Sequence, residues 1–508
     1  MIARHLLPGL LLAGLGVSAF AQEPVKLFVK EVPLTVLGRE VKVMAIEQED
    51  GTPGYSPAKA GGFHAEVVNQ LDAPTCIHWH GLILPNLMDG VPFVTQDPIP
   101  PGGSFLYDFP LVQSGTYWMH SHYGLQEQWL NAAPMILWTP EERAQADKQV
   151  VVMLADFSFM PPDRILAGLR NASPKPMKGK MDMPEGMMKT GTPVEMAAQA
   201  WDEKEQRLVR TTRKSPPVDI DVKYDALLAN RRTMDDPEVV TVTPGETVMM
   251  RLIGASSATN FYIDTGALEA ELLAVDGKPV EPVKGTFFQL GIAQRIDLRV
   301  TIPKDGGAFP ILAQGEGTKL QAGIILASEG ADIPTLAREA GMGVAALDNT
   351  QEKVLRAANP LKPRSVDRTL PCALGGDMAT YVWTINGAAY PNRDALMVRE
   401  GERAEIVFTN STMMAHPMHL HGHDFQIVEI DGELLAGALR DTVVVPPGST
   451  IRAVFDANNP GVWAFHCHLL YHLASGMFTV LLYEGADTRS WQPEKSLTEV
   501  AGPTAVED

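Results

Sequence analysis

The sequence predicts an all-β protein made of three β-sandwich units. Short runs alternate apolar and polar residues, as in Glu246-Thr-Val-Met-Met-Arg-Leu-Ile253 and Thr380-Tyr-Val-Trp-Thr-Ile-Asn386, and long helical periodicities are scarce. The 44 Gly and 39 Pro punctuate those runs at short intervals, as turns between strands do. A chain of 508 residues, at roughly 150 per domain, has room for about three domains.

Composition narrows the class. Hydrophobic residues at 45% and charged residues at 20% are those of a soluble globular protein and exclude a disordered or collagen-like chain. The 42 Lys+Arg against 61 Asp+Glu leave a net charge of −19, which repels phosphate backbones and argues against a nucleic-acid partner. Three Cys exclude a disulfide-built scaffold. The 13 His and 23 Met are side chains that bind borderline and soft metals.

Residues 1–21 read as a secretory signal. Arg4 precedes an apolar run from Leu6 to Phe20, which ends in the small-x-small pattern Ala19-Phe20-Ala21. The run is too short to span a bilayer comfortably, and no later segment has the apolar length to do so. No Arg-Arg pair precedes the run, which favours the general export route. The expected compartment is the periplasm or the exterior, with no membrane span after cleavage.

An internal repeat defines the units. Asn69 stands nine residues before His78-Trp-His80-Gly81, and Asn410 nine before His419-Leu-His421-Gly422. Pro101-Gly102 precedes Gly115-Thr-Tyr-Trp-Met-His120-Ser-His122 by the distance that separates Pro447-Gly448 from Gly461-Val-Trp-Ala-Phe-His466-Cys-His468. Thr243-Pro-Gly-Glu-Thr247 and Gly306-Gly-Ala-Phe-Pro-Ile311 mark a third copy, free of histidine, between them. The expected units are therefore 22–145, 146–340 and 341–508. The stretch 330–366 reads as a linker, and the end from about 486 as a polar tail.

Ten of the 13 His fall in four clusters: His78/His80, His120/His122, His416/His419/His421 and His466/His468/His472. Residues two apart in a strand share a face, so each His-x-His pair aims two imidazoles the same way and forms half of a metal site. If the two end units pack together, eight imidazoles converge between them. Cys467 lies between His466 and His468 and projects from the opposite face. One thiolate, two imidazoles and a distant thioether make a blue-copper ligand set. Cys467, His472 and Met477 supply three of its members, and His416 is the natural second imidazole. A copper on Cys467 would be one residue from the histidines of the other face.

On these residues the chain resembles the three-domain multicopper oxidases of cupredoxin fold, a superfamily that includes laccases, ascorbate oxidase and bacterial copper-efflux oxidases. The segments His-Trp-His-Gly-Leu-Ile-Leu-Pro, Gly-Thr-Tyr-Trp-Met-His-Ser-His-Tyr-Gly-Leu-Gln-Glu-Gln, His-Pro-Met-His-Leu-His-Gly-His and His-Cys-His-Leu-Leu-Tyr-His are most similar to the bacterial copper-resistance members. The resemblance implies three cupredoxin-like Greek-key sandwiches holding four copper ions. It implies His416, Cys467, His472 and Met477 as type 1 ligands, and His78 and His419 as type 2 ligands. It implies His80, His120, His122, His421, His466 and His468 as ligands of the type 3 pair. The implied reaction oxidises four equivalents of substrate one electron at a time at type 1 and reduces dioxygen to two waters at the trinuclear cluster. Laying the first unit on the last is an independent check. His416 falls on Thr75, Cys467 on Ser121, His472 on Gln126 and Met477 on Asn131, so the mononuclear site is expected only in the last unit.

Dioxygen reduction consumes protons, so a carboxylic acid near the cluster is expected. Asp89, nine residues after His80, matches the family's proton-relay aspartate; the plainer reading is a turn residue in Met-Asp-Gly. Some bacterial members carry an acid just after the second type 1 histidine, where this chain has Leu473, which falls on Glu127 in the repeat; Glu127 is the expected second acid. Met177, Met181, Met183, Met187, Met188 and Met196 crowd a polar stretch at about 175–197 and read as a Cu(I)-gathering loop, since thioethers select Cu(I). An exported chain permits a disulfide between Cys76 and Cys372, although no spacing brings them together. His64 and His423 have no partner in the motifs, and His5 leaves with the signal.

The expected protein is an exported, monomeric multicopper oxidase that oxidises Cu(I) and phenols and lessens copper toxicity. The alternatives are a laccase specialised for organic substrates, from which the Met stretch argues away, and a copper-sequestering protein without turnover, which has no need of a dioxygen site.

Overall fold

The computed structural model describes residues 23–58, 61–138, 148–171, 192–392 and 394–495. The expected signal 1–21, most of the Met-rich stretch, the expected boundary near 145 and the end of the tail lie outside the described residues.

The chain is built almost wholly of β-strands, and one strand plan recurs in it. Val25–Val36 pairs parallel with Phe63–Asn69, which pairs antiparallel with Ser104–Phe109. Lys148–Phe157, Thr247–Gly254 and Arg295–Thr301 repeat that arrangement, and so do Arg368–Asp377, Arg403–Asn410 and Thr450–Asp456. Parallel neighbours cannot be joined by a tight hairpin, so the chain takes a longer path between them. The second sheet of each unit is built mainly from the segments that lie between and after its antiparallel pair. Gly115–Ser121 is the central strand of one such sheet, between Ile77–His80 and Ala132–Leu137. Ala308–Gly315 and Val462–Cys467 hold the same place in the other two.

The repeat extends to single atoms. Asn69 Nδ2 donates to the carbonyls of Ala73 and Ile99, and its Oδ1 accepts from Leu71 N–H. Asn410 does the same with Met414, Val445 and Thr412. Gly102 and Gly448 each donate a backbone N–H to their asparagine's carbonyl at 2.9 Å. Each asparagine thereby pins the loop that leads into a histidine strand.

Alternation along Phe63–Asn69 buries every second side chain, as expected of a strand with one wet face. Ile77–His80 and His416–Leu420 are buried on both faces, because the core lies on one side and the other end unit on the opposite side. One continuous apolar cluster runs from Leu27 and Trp79 in the first unit to Trp463 and Leu481 in the last, and a second fills the middle around Leu252, Phe261 and Ile324. Packing of the two ends on each other is thus part of the hydrophobic core itself.

Three expectations change. Met196 belongs to no loop: it is buried in the strand Val194–Asp202, against Ala198 and Ala345. The stretch 330–366 packs tightly as a strap, with Val344, Ala345 and Leu355 fully buried. Gln351 fastens it by exchanging hydrogen bonds with the backbone of Gln289 at 2.8 and 2.9 Å. Cys76, Cys372 and Cys467 are all buried and none is in a disulfide, so the Cys76–Cys372 bridge is not formed. Among the described residues no helix is long and apolar enough to cross a membrane.

Candidate metal centre

Strand register brings the histidines together. His78 lies directly opposite His120, and His419 opposite His466, so each pair shares a face of its sheet. The two faces meet, and eight buried imidazoles converge: His78, His80, His120 and His122 from one end of the chain, His419, His421, His466 and His468 from the other.

Hydrogen bonds at the rim set which ring nitrogen faces inward. His78 Nδ1 donates to the Asp89 carbonyl and His419 Nδ1 to the Asp441 carbonyl, both at 2.8 Å. The opposite Nε2 atoms of these two rings are buried without any protein partner. His421 Nδ1 donates to Asp89 Oδ2 at 2.9 Å and His466 Nδ1 to the Cys467 carbonyl at 3.0 Å. Their Nε2 lone pairs then face each other at 3.0 Å, with His122 Nε2 3.3 Å from the latter. His120 and His468 oppose Nε2 to Nε2 at 3.4 Å. Opposed lone pairs repel in a dry interior unless a cation lies between them. This donor set therefore fits metal ions: neutral imidazoles with inward lone pairs, six of them (His78, His80, His120, His419, His421 and His466) oriented by an outer hydrogen bond.

The electrostatics agree. Burial, reinforced by neighbouring imidazoles, holds His80, His120, His122, His419, His421 and His468 well below the ordinary imidazole range. Burial takes His466 down to about 4. The rings are neutral at physiological pH, which is the form that ligates.

On the other face of the strand Val462–Cys467, His416 Nδ1 and His472 Nδ1 stand 3.1 Å apart, and each is 3.7 Å from Cys467 Sγ. Thr412 Oγ1 holds the far nitrogen of His416 at 2.7 Å, and Asp221 Oδ2 lies 3.0 Å from His472 Nε2. Met477 sits on the next turn, its backbone bonded to Cys467 and His472. Trp383 covers His472 with ring centroids 3.8 Å apart. Burial pushes the Cys467 thiol up, so a bound cation is what would make it a thiolate.

The two carboxylates singled out from sequence both reach the ring of imidazoles. Asp89 is fully buried between His78 and His421. Glu127 Oε2 is 3.1 Å from His120 Nδ1, and its Oε1 is 3.9 Å from His468. Burial first, and then Asp156, raise the Glu127 carboxyl well above the usual range. Glu127, Leu470 and Leu473 line one small gap beside His120 and His466. The remaining two histidines stand apart: His64 pairs with Asp108 at 3.5 Å near the surface, and His423 is buried between the His421 carbonyl and Tyr483 Oη.

Sequence reasoning missed Asp441, Thr442, Arg295 and Asp221. The signal for the first two was a charged pair, Arg440-Asp441, leading into the apolar strand Thr442–Val445. Asp221 opens onto a cavity of about 560 Å³ beside His472, lined also by Asp219, Asp225, Glu316, Met413 and Met414. Burial, and then Asp221, raise the Asp219 carboxyl.

Comparison with known proteins places this geometry in context. Multicopper oxidase family models match residues 29–142, 196–329 and 366–487. The multicopper oxidase MmcO of Mycobacterium tuberculosis is 35% identical over 82% of this chain and 78% of that protein. Copper resistance protein A of Escherichia coli is 28% identical over 81% of this chain and 84% of that protein. Among solved structures, Fet3p, a multicopper oxidase that functions in iron import, superposes with a TM-score of 0.72 at 21% identity, covering 94% of this chain and 93% of that one. The laccase from Botrytis aclada superposes at 0.68 with 22% identity, covering 94% and 90%. These superpositions give the cupredoxin fold.

Proposed function

The chain belongs to the multicopper oxidase family and is an oxidoreductase, and from that premise we propose that it is an exported, periplasmic or secreted enzyme that oxidises Cu(I), serves copper tolerance and also accepts phenols. The proposed units are 22–145, 146–340 and 341–508, acting as a monomer. The observation that carries the substrate reading is the acidic, methionine-edged cavity at His472. Carboxylates attract a cation, and the Met413 and Met414 thioethers prefer the cuprous state. Its size and the apolar walls of Leu469 and Pro447 favour a small phenol as the second reading. A sequestering role without turnover has no use for the complete ring of imidazoles.

Four coppers are proposed. His416, Cys467, His472 and Met477 hold one; His78 and His419 hold a second; His80, His120, His122, His421, His466 and His468 hold a pair. Bound copper supplies one-electron oxidation at the first position and four-electron reduction of dioxygen to two waters at the other three. The residues do the rest. Asp221 Oδ2 stands 3.0 Å from His472 Nε2, where its charge favours the tautomer that leaves Nδ1 for the metal position, and it faces the incoming substrate. Cys467 is covalently joined to His466 and His468, which gives electrons a bonded path between the two ligand sets. Water formation takes up four protons per dioxygen. Asp89 orients His78 and His421, and Glu127 holds a proton at its carboxyl beside His120, in the gap that Leu473 lines without an acid of its own. Dioxygen uptake by the copper-loaded protein, with Cu(I) and then a phenol as donor, tests the proposal: uptake with Cu(I) supports it, and no uptake with either donor overturns it.

A further inference from the structure

We propose that Arg295, contributed by the histidine-free middle of the chain, is a positioning residue for the imidazole ring: by locking Asp441 it sets the tautomer of His80, and with it the nitrogen through which His80 meets copper. This rests on the reading that His80 is a copper ligand.

Seven of the eight imidazoles turn Nε2 inward, and His80 alone turns Nδ1, which is buried without a protein partner. The cause is on its far side. His80 Nε2 stands 3.1 Å from Asp441 Oδ1 and 3.2 Å from Thr442 Oγ1. Thr442 spends its hydroxyl proton on Asp441 Oδ1 at 2.8 Å, so toward His80 it can only accept. Both neighbours therefore demand the proton on Nε2 and leave the lone pair on Nδ1.

Asp441 can serve only if it is held. Its Oδ1 stands 3.1 Å from His80 Nε2 and 3.7 Å from His419 Nδ1, the outward nitrogens of both rings, so a carboxylate free to turn would release the His80 tautomer. Arg295 prevents this with two parallel bonds, Nη1 to Oδ1 at 2.9 Å and Nη2 to Oδ2 at 2.6 Å. Arg295 is itself fixed: it is fully buried, Nε donates to the Thr116 carbonyl at 3.1 Å, Nη1 also donates to the Ala293 carbonyl at 3.2 Å, and its backbone N–H donates to Asp276 at 2.9 Å. Gly81, next after His80, makes the room. Its φ is +86°, and a Cβ there would overlap both Arg295 Nη2 and Asp441 Oδ2. The glycine that follows the first His-x-His pair is thus shaped for an ion pair whose members come from the middle and last parts of the chain.

The test uses full-length, copper-loaded protein carrying Arg295→Met, and separately Arg295→Lys. Four quantities are read: copper per chain, blue absorption, the fraction of copper visible by electron paramagnetic resonance, and dioxygen uptake. A coupled cupric pair is silent in that resonance, so loss of the pair raises the visible fraction. The expected result for Arg295→Met is unchanged blue absorption, a higher visible fraction, and copper affinity and uptake lower by roughly 10–100-fold. Lys recovers little, because a point charge cannot make both parallel bonds. Blue Arg295→Met protein with the parent's visible fraction and uptake overturns the proposal. Should the unpaired Asp441 prevent folding, Arg295→Met combined with Asp441→Asn removes both charges and must show the same rise in visible copper; a parent-like fraction there also overturns it. A parent protein with no silent copper overturns instead the reading that His80 is a ligand.

Discussion

Gln126 turns its amide oxygen to the Thr75 hydroxyl at 2.8 Å, in the place where, in the last unit, His472 faces His416. Ser121 Oγ and Asn131 Nδ2 converge on the same oxygen at 2.7 and 3.2 Å. The four residues that replace the mononuclear ligands thus form one buried hydrogen-bond knot, and Gln126 Oε1 sits at its centre. Gln126→Ala would strand three donors in the core. We expect destabilisation of about 2–4 kcal/mol in denaturant unfolding with the blue absorption unchanged. A blue band that disappears would show that the knot supports the distant copper site as well.

Glu127→Gln keeps the size and hydrogen-bonding shape of the side chain and removes its capacity to transfer a proton. Dioxygen turnover is expected to fall by about 10²-fold while substrate oxidation in the absence of dioxygen, followed by bleaching of the blue band, keeps its rate. Unchanged turnover with unchanged colour would remove Glu127 from proton supply.

Asp221→Asn removes one of the carboxylates of the cavity beside His472, the one that faces His472 Nε2. The KM for Cu(I) is expected to rise by about tenfold, with a smaller change for a neutral phenol. Steady-state kinetics with both donors separates the two, and equal shifts would mean that Asp221 acts only on His472.

Deletion of residues 175–191 leaves Met196 and its strand intact, which a cut to 197 would not. Cuprous oxidation by the shortened protein is expected to weaken much more than phenol oxidation. Equal loss of both, or of neither, contradicts a copper-gathering role.

The metal-free protein is expected to be acid-labile. Burial holds His423 at about 4 against an ordinary 6.5, and His466 likewise, so the unfolded chain takes up protons that the folded chain refuses. The stability present above pH 6.5 is lost as pH falls through the window from 6.5 to about 4, by up to about 3 kcal/mol for His423 alone. Thermal unfolding of copper-free protein at several pH values reads this directly, and a melting temperature independent of pH across that window would contradict it.

Much of this was legible in the sequence because it is local. A His-x-His pair, an Asn that pins the preceding loop and a Cys between two His each express strand alternation over a few residues, and copies at both ends expose the pattern. Asp89 and Glu127 were reachable because each lies within ten residues of a histidine cluster. Arg295, Asp441 and Asp221 were not. Asp441 meets His80, Asp221 meets His472 and Arg295 meets Asp441 across interfaces between distant stretches of chain, where no spacing relates the two partners, and only the packing of three sandwiches brings them into contact. Met196 misled for a related reason: in composition it belongs to the polar Met-rich stretch, but the strand pairing Met196 with Arg213 carries it into the core.

The ring of imidazoles takes four members from residues before 123 and four from residues after 418. The proposed blue-site ligands, in contrast, all come from the last unit. A ribosome releases the first four long before the other four exist, so a growing or truncated chain owns only half a cluster. The mononuclear site can form as soon as the last unit folds, whereas the cluster also needs the two ends to dock. Under the proposed ligand assignment, loading with all the metal would therefore report that translation and folding have each been completed, and a chain cut anywhere ahead of His466 is expected to be colourless and unable to consume dioxygen.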